Sequence, residues 1–456
     1  QVVVGTAPVN MAENPSEAVN VPILANSGTE AMAALGYSVD FKNFTLCQTM
    51  FATSNLFQVS PVVYINVLDP AKHNKELAEA EYQVNQKQAV IEKEGIILEG
   101  LTVKNSTGDI ELKAGEDYSA AFDSTTGFLT ITMLAGGKGA AATAIKVSGK
   151  VIDPSKVTKE DVIGAVDPST GAETGAQVIR QVHPRLGIVP GLILAPGWSQ
   201  IPEVGLALAA KAAKINGVYS AMALLDLDTA KAKKYTDTKS VKEESGYTSP
   251  FCYPLWPCDR VGEYILAKSA VAGAMIQYMA SDNEDVPNQS PSNHLLGGQC
   301  LEDGTEVYLD QDQANTVNGY GVTTAINQNG YRLWGNYTGA YPASSDAKDI
   351  WFAVRRMFSW QGNNFIQKYF DEVDDPMNNV LVQSVVDSEN IRCSAYAPKY
   401  WAGASIEYKS DDNPKTAILA GTMKFRQHIA PYTPAQEIVD IIDYDTDTLA
   451  AAVGGN

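Results

Sequence analysis

The sequence predicts a multidomain α/β (α+β) protein. It has a central α/β domain, a small inserted β-sandwich domain, and a C-terminal α+β domain ending in a terminal arm. Three observations predict it. Nearly continuous apolar runs such as Val62–Leu68, bounded by Pro61 and Pro70, alternate with helical patterns, and such runs suit strands buried on both faces of a sheet. A long stretch from about Gln86 carries short strand-like pieces with a turn signal after each. At 456 residues the chain exceeds what a single core normally holds.

Taken in order, Val2–Val4 followed by Gly5-Thr6-Ala7-Pro8 is a buried strand and turn. Thr29–Gly36 and Phe44–Leu56 are helices, and Val62–Leu68 is the next strand; this alternation favours α/β over a sandwich. Ile96–Leu98, Leu101–Lys104, Ile110–Lys113, Tyr118–Phe122, Phe128–Met133 and Ala144–Val147 then form the all-β texture. Gly187–Leu194 returns to a core strand, and Pro202 opens a helix stopped by Gly217. Ala221–Leu227 is another buried strand, and Asp259 is expected to cap a helix running to about Ser281. Val322–Ile326 and Tyr331–Trp334 flank Asn327-Gln328-Asn329-Gly330 as a hairpin. A long amphipathic helix follows from Ala347 to about Phe370, capped by Ser345 or Asp346, and a second from Pro376 to Ala397, capped by Asp375. Gly403–Tyr408, Lys415–Phe425 and Glu437–Tyr444 read as strands, trailed by an acidic, flexible end. The division expected is an α/β domain over 1–87 and 176–330, a β-sandwich over 88–175, and a C-terminal domain over 331–456 with its arm from about 437.

The net charge of −19 comes without a basic block, which argues against a nucleic-acid binder. Cys47, Cys252, Cys258, Cys300 and Cys393 are scattered and odd in number, as suits free thiols in a reducing cytoplasm. No signal peptide opens the chain and the apolar runs are short, so neither secretion nor membrane spanning is expected. Gln1 is no initiator methionine, so a preceding segment is expected.

Enzyme signatures are missing: there is no phosphate-binding G-x-x-x-x-G-K-[ST], no G-x-G-x-x-G after a strand, no H-E-x-x-H and no G-x-S-x-G. Gly136-Gly137-Lys138-Gly139 lacks phosphate-loop spacing and reads as a plain loop. Cys252 and Cys258 lack the further ligands a zinc site needs. His73, His183, His294 and His428 fall in four separate segments with no flanking pattern. Asp371-Glu372-Val373-Asp374-Asp375 lacks the glycine and alternation of a calcium loop. No cofactor, metal or catalytic residue is implied.

Several stretches together resemble the contractile tail sheath proteins of phages and related injection systems. Gly330–Thr338 (GYRLWGNYT) followed by Asp349–Phe370 (DIWFAVRRMFSWQGNNFIQKYF) resembles the C-terminal region of that family. Val2–Pro8 is similar to its first strand and turn, and Ala114–Asp123 with Thr126–Thr132 to its β-sandwich insertion. Leu186–Val204 with Tyr219–Asp228 resembles its central domain, and Lys424–Asp445 its closing strands and arm. No single motif is specific, but their order spans nearly the whole chain. The resemblance implies a non-enzymatic subunit that polymerises as stacked hexameric rings around an inner tube and contracts to drive the tube through a cell envelope. The implied partners are other copies of the chain, the inner tail tube protein, and the baseplate and tail terminator proteins, with no direct contact to nucleic acid or membrane. The implied place is a virion tail, or a phage-tail-like particle, made in the host cytoplasm. The arm residues expected to exchange strands between subunits are Glu437, Ile438, Val439, Asp440, Ile441, Ile442, Asp443 and Tyr444. The matching N-terminal arm is expected to precede Gln1. Arg392 and Lys399 are expected to meet the tube; Arg392 pairing with Glu389 on its own helix is the alternative, and Arg355 and Arg356 are the rival pair. Two other functions stand behind the sheath: a cytosolic α/β enzyme with an unrecognised site, and a surface-binding module on the β insertion. Hollow tubes in negative stain, a small oligomer with a ligand-filled cleft, or glycan binding would separate the three.

Overall fold

The computed structural model describes residues 1–454, so the last two residues of the expected arm lie outside the described residues. Strands β1 (Val2–Gly5), β2 (Pro22–Ala25) and β3 (Val62–Asn66) begin the central sheet, with Val3 opposite Tyr64 in the parallel β1–β3 pair and β2 antiparallel at the edge. Between them lie α1 (Gly28–Leu35), capped by the Ser27 hydroxyl, and α2 (Leu46–Phe51). The Asn66 carboxamide accepts from the amides of Ala7 at 3.0 Å and Leu68 at 3.1 Å, tying the ends of β1 and β3 together.

The chain then leaves the sheet. It forms β4 (Asn74–Gln83), β5 (Gln88–Ile91), β6 (Ile96–Asn105), β7 (Glu111–Leu112), β8 (Tyr118–Phe122), β9 (Leu129–Met133) and β10 (Ala144–Ile152). These make two antiparallel sheets, ordered β4-β10-β6-β7 and β5-β9-β8. Their inward residues, among them Leu77, Ile91, Val103, Ile131 and Val147, form a hydrophobic cluster of their own. Leu98 and Leu101 sit in one strand rather than two, because Gly100 (φ +75°) and a bulge in β10 near Gly149 carry the ladder across the interruption. The paired region therefore runs from Asn74 to Ile152, whereas the sequence pattern starts only at about Gln86: β4 reads as a polar run because one face is bare. Its ends meet where the Asp153 amide donates to the His73 carbonyl at 2.7 Å. The Gly136–Gly139 loop is held by Asp117, whose carboxylate accepts from the Lys138 amide at 2.6 Å.

Short helices α3 (Lys159–Ile163) and α4 (Val182–Leu186) lead back to β11 (Leu192–Leu194), α5 (Pro202–Ala213), β12 (Met222–Asp226), α6 (Thr238–Ser245) and β13 (Cys252–Leu255). The finished six-stranded sheet has the order β13-β12-β11-β1-β3-β2, parallel except at β2. Asp259 caps no helix. It lies in β14 (Cys258–Val261), which turns at Gly262 (φ +61°) into β15 (Tyr264–Leu266), and α7 (Lys268–Ser281) begins only afterwards. Asp259 is instead fully buried against Lys268, and burial pushes its carboxyl up to about 6. Strand β16 (Gly298–Cys300) pairs with β14 and sets Cys300 opposite Cys258; all five cysteines are free.

Helix α8 (Gln311–Gly319) precedes the expected hairpin, β17 (Thr324–Asn327) and β18 (Tyr331–Trp334). This stretch is a junction. The Thr323 amide donates to Pro254 and its carbonyl accepts from Trp256, the Tyr253 hydroxyl donates to Gly335, and Tyr253 stacks on Phe352 at 4.0 Å. Gly335 (φ +153°) has to be glycine, since a Cβ there would lie 2.5 Å from the Thr323 hydroxyl.

The expected long helix is two, α9 (Ala347–Ile350), capped by Asp346, and α10 (Phe352–Lys368). Trp351 between them is extended because it bridges to Tyr337. In α11 (Asn379–Tyr396) the cap is the Asn378 side chain, not Asp375, so the chain passes Pro376 before coiling. Strand β19 (Trp401–Glu407) is as expected, but Lys415–Phe425 is not a strand. After Pro414 the chain makes α12 (Lys415–Leu419), and Asn413 bonds main-chain groups of both Lys409 and Lys424 to close the loop. The partner of β19 is β20 (Arg426–Pro431). The end expected to be flexible instead carries α13 (Thr446–Ala452), capped by Asp445.

Candidate assembly surface

Strands β19 and β20 form a sheet of two strands only, with Gly403 opposite Ala430 and Glu407 opposite Arg426. A two-stranded sheet is marginal unless one face is covered. Trp401 covers it: fully buried among Met357, Cys393 and Tyr400, it donates its indole N–H to the Cys393 carbonyl at 3.0 Å. The outer edge of β19 is partly closed, because the Asn390 side chain donates to the Ile406 carbonyl at 3.0 Å and accepts from its amide at 2.9 Å. Beyond β19, no main-chain hydrogen bond reaches the β20 ladder among the described residues. The open edge is β20.

One buried carboxylate joins the sheet to both helices. Glu389 on α11 accepts from Gln361 at 2.7 Å, the Tyr369 hydroxyl at 3.1 Å and Gln427 of β20 at 3.1 Å, and pairs with Arg392. Burial would raise its pKa, but Arg392 and the hydrogen bonds outweigh that and hold the carboxyl below the usual glutamate value. Arg392 thus meets Glu389, three residues earlier on the same helix, as the alternative reading had it. Lys399 is largely exposed and pairs with Glu284 at 2.8 Å; that hydrogen bond raises its pKa to about 12. Arg355 pairs with Asp349 at 3.0 Å, while Arg356 stands over the Phe352 ring.

The arm starts from a fixed point. Tyr337, stacked between Tyr341 and Trp351, donates its hydroxyl to the Gln436 side chain at 2.7 Å. From Glu437 to Tyr444 the chain then joins no ladder, and Ile438 is 89% and Ile442 87% exposed. Apolar side chains so placed lack a partner among the described residues. The network at Glu389 and the bracket at Asn390 are the features the sequence did not announce. A Glu three residues before an Arg on a helix is ordinary surface patterning, and only packing shows that this one is buried.

No family model matches the chain. It is similar to the tail sheath protein of Burkholderia phage BcepMu, 25% identical over 470 residues, which spans 99% of this chain and 94% of that protein. The tail sheath protein of Escherichia phage P2 is 23% identical over 62% of this chain and 69% of its own length. Among solved structures, the helical sheath of the anti-feeding prophage in its contracted state shares the fold. It has a TM-score of 0.56 over 98% of this chain and 92% of that one, at 14% identity. From end to end, this chain is similar to tail sheath proteins.

Proposed function

We propose that the chain is the repeating subunit of a contractile sheath in a phage tail or phage-tail-like particle. It stacks in hexameric rings around an inner tube, ends on baseplate and terminator proteins, and shortens to drive the tube outward. The observation that carries this is the arm. Glu437–Tyr444 joins no ladder and leaves Ile438, Val439, Ile441 and Ile442 exposed, and the same chain carries an open β20 edge. Main-chain pairing of one copy's arm with the next copy's β20 links subunits while leaving their outer parts free to rotate. Contraction then needs no nucleotide, since two packings of one lattice that differ by a small free energy per subunit suffice when every subunit contributes.

In this reading 74–152 forms a separate outer domain, and the C-terminal helices and sheet face inward. Arg392 lies near the end of α11 and Lys399 three residues beyond it, and of the two Lys399 is the one that can meet the tube, by releasing Glu284. Negative-stain microscopy of the full-length chain co-expressed with its tube protein tests the proposal. Striated hollow sheaths on tubes are expected, and bare tubes beside monomeric chain would refute it.

A further inference from the structure

One cavity collects polar groups that the fold leaves without partners. It has a volume of about 310 Å³ and lies between the central sheet and α10, with Arg356, Trp360 and Gln367 along one wall. Within it the Ser359 hydroxyl, on a residue 6% exposed, has no hydrogen-bond partner. Among the described residues no carboxylate pairs with Arg356, and loss of solvent draws its pKa down to about 10. Asp285 also lines the cavity without pairing with Arg356, and a desolvated cation with no ion pair, beside the unpaired Ser359 hydroxyl, costs stability unless an anion enters. The cavity continues along α10 as a shallower groove that shares Trp360, Asn364 and Gln367 and is bounded by Lys368 and Arg392.

The chain also carries a complementary segment. After Pro431 it has five carboxylates, Glu437, Asp440, Asp443, Asp445 and Asp447, and no Lys, Arg or His. In its own subunit the arm departs from Tyr337 beside Ser290, Trp334 and Ile438, a cavity that shares no residue with the one around Arg356. We propose that the Arg356 cavity is a carboxylate-binding pocket and that its occupant is an acidic side chain from the arm of a second copy. This rests on the arm crossing between copies as proposed above. It adds a charge-specific anchor on α10 to the main-chain pairing at β20, and so assigns the arm's acidity a role that strand addition does not require.

The test uses the full-length chain and a fluorescent synthetic peptide of residues 433–449, read by anisotropy. Arg356→Met should weaken peptide binding by about ten-fold, the scale of a lost charge-assisted hydrogen bond. A peptide with its aspartates changed to asparagine should show the same loss on the wild-type chain. Ser359→Ala, which keeps the charge, should weaken binding by a smaller factor and serves if the Arg356 variant melts early. Equal binding to wild type and both variants overturns the pocket, even where sheaths still form and the arm reading survives. Protection of Arg356 from phenylglyoxal by inorganic phosphate but not by the peptide also overturns it, marking a small-anion site instead. Peptide binding that depends on Arg356 in a chain that never forms sheaths would leave the pocket standing and refute the proposed function.

Discussion

Glu389 has no exposed surface, and its two oxygens are shared among groups from α10, α11 and β20. Glu389→Ala should leave Arg392 half-buried and unpaired and cost about 3 kcal/mol, the usual effect of breaking a buried pair, read as a fall in thermal midpoint. Its pKa is held down in the folded state, so its stabilisation is present above the unfolded glutamate value and lost as pH falls through the lower folded value. Wild type should therefore lose its advantage over the variant as melts move from pH 7 to acid; a constant gap would contradict the network. Lys399→Glu should leave the melt unchanged, since an exposed pair contributes little, yet reduce sheath on tubes in pelleting assays. Arg392→Glu is a poor probe of the tube, because it would place two acids together on α11. At this scale the sequence reads unevenly. Gly335 stands out as a glycine between Trp334 and Asn336, but its reason, the closeness of Thr323, is a tertiary contact. Asp259 looked like a cap and is half of a buried ion pair, because β14 turns back at Gly262 before α7 begins.

Among the elements, those with strong local patterns were legible. Val2–Val4, Val62–Ile65 and Met222–Leu225 are buried apolar runs, as buried parallel strands require, and the Pro202 helix starts where proline allows. What failed was decided by partners. Strand β4 is mostly exposed and polar and is a strand only because β10 pairs along it. Lys415–Phe425 has strand-like composition, but Asn413 closes it into a loop before β20. The arm shows both sides. Its apolar residues Ile438, Val439, Ile441 and Ile442 are plain in the sequence, yet the segment joins no ladder among the described residues. Ile441→Pro removes a main-chain donor from this segment. It should leave the subunit's melt within a degree or so, since the arm contributes no core, while abolishing polymers in sedimentation. Polymers of wild-type length would show that the arm does not link subunits.

For the whole molecule, we propose that the β-rich segment is separable. Its hydrophobic cluster is its own, and Asp153 bonds to His73 where the segment leaves and rejoins the central fold. Excising 74–152 and joining His73 to Asp153 should leave a chain that still melts cooperatively, because neighbouring ends let an insertion be removed without stretching the parent fold. Loss of cooperative folding would show that the segment belongs to the central core. In the proposed assembly, a lattice of such subunits is held together by exchanged arms. Hydrogen–deuterium exchange of the full-length chain, compared between dissociated subunits and assembled sheath, tests it most directly. Residues 437–444 should exchange freely in the dissociated subunit and become protected on assembly, together with β20. An assembled sheath in which 437–444 exchanges as fast as in the free subunit would contradict it.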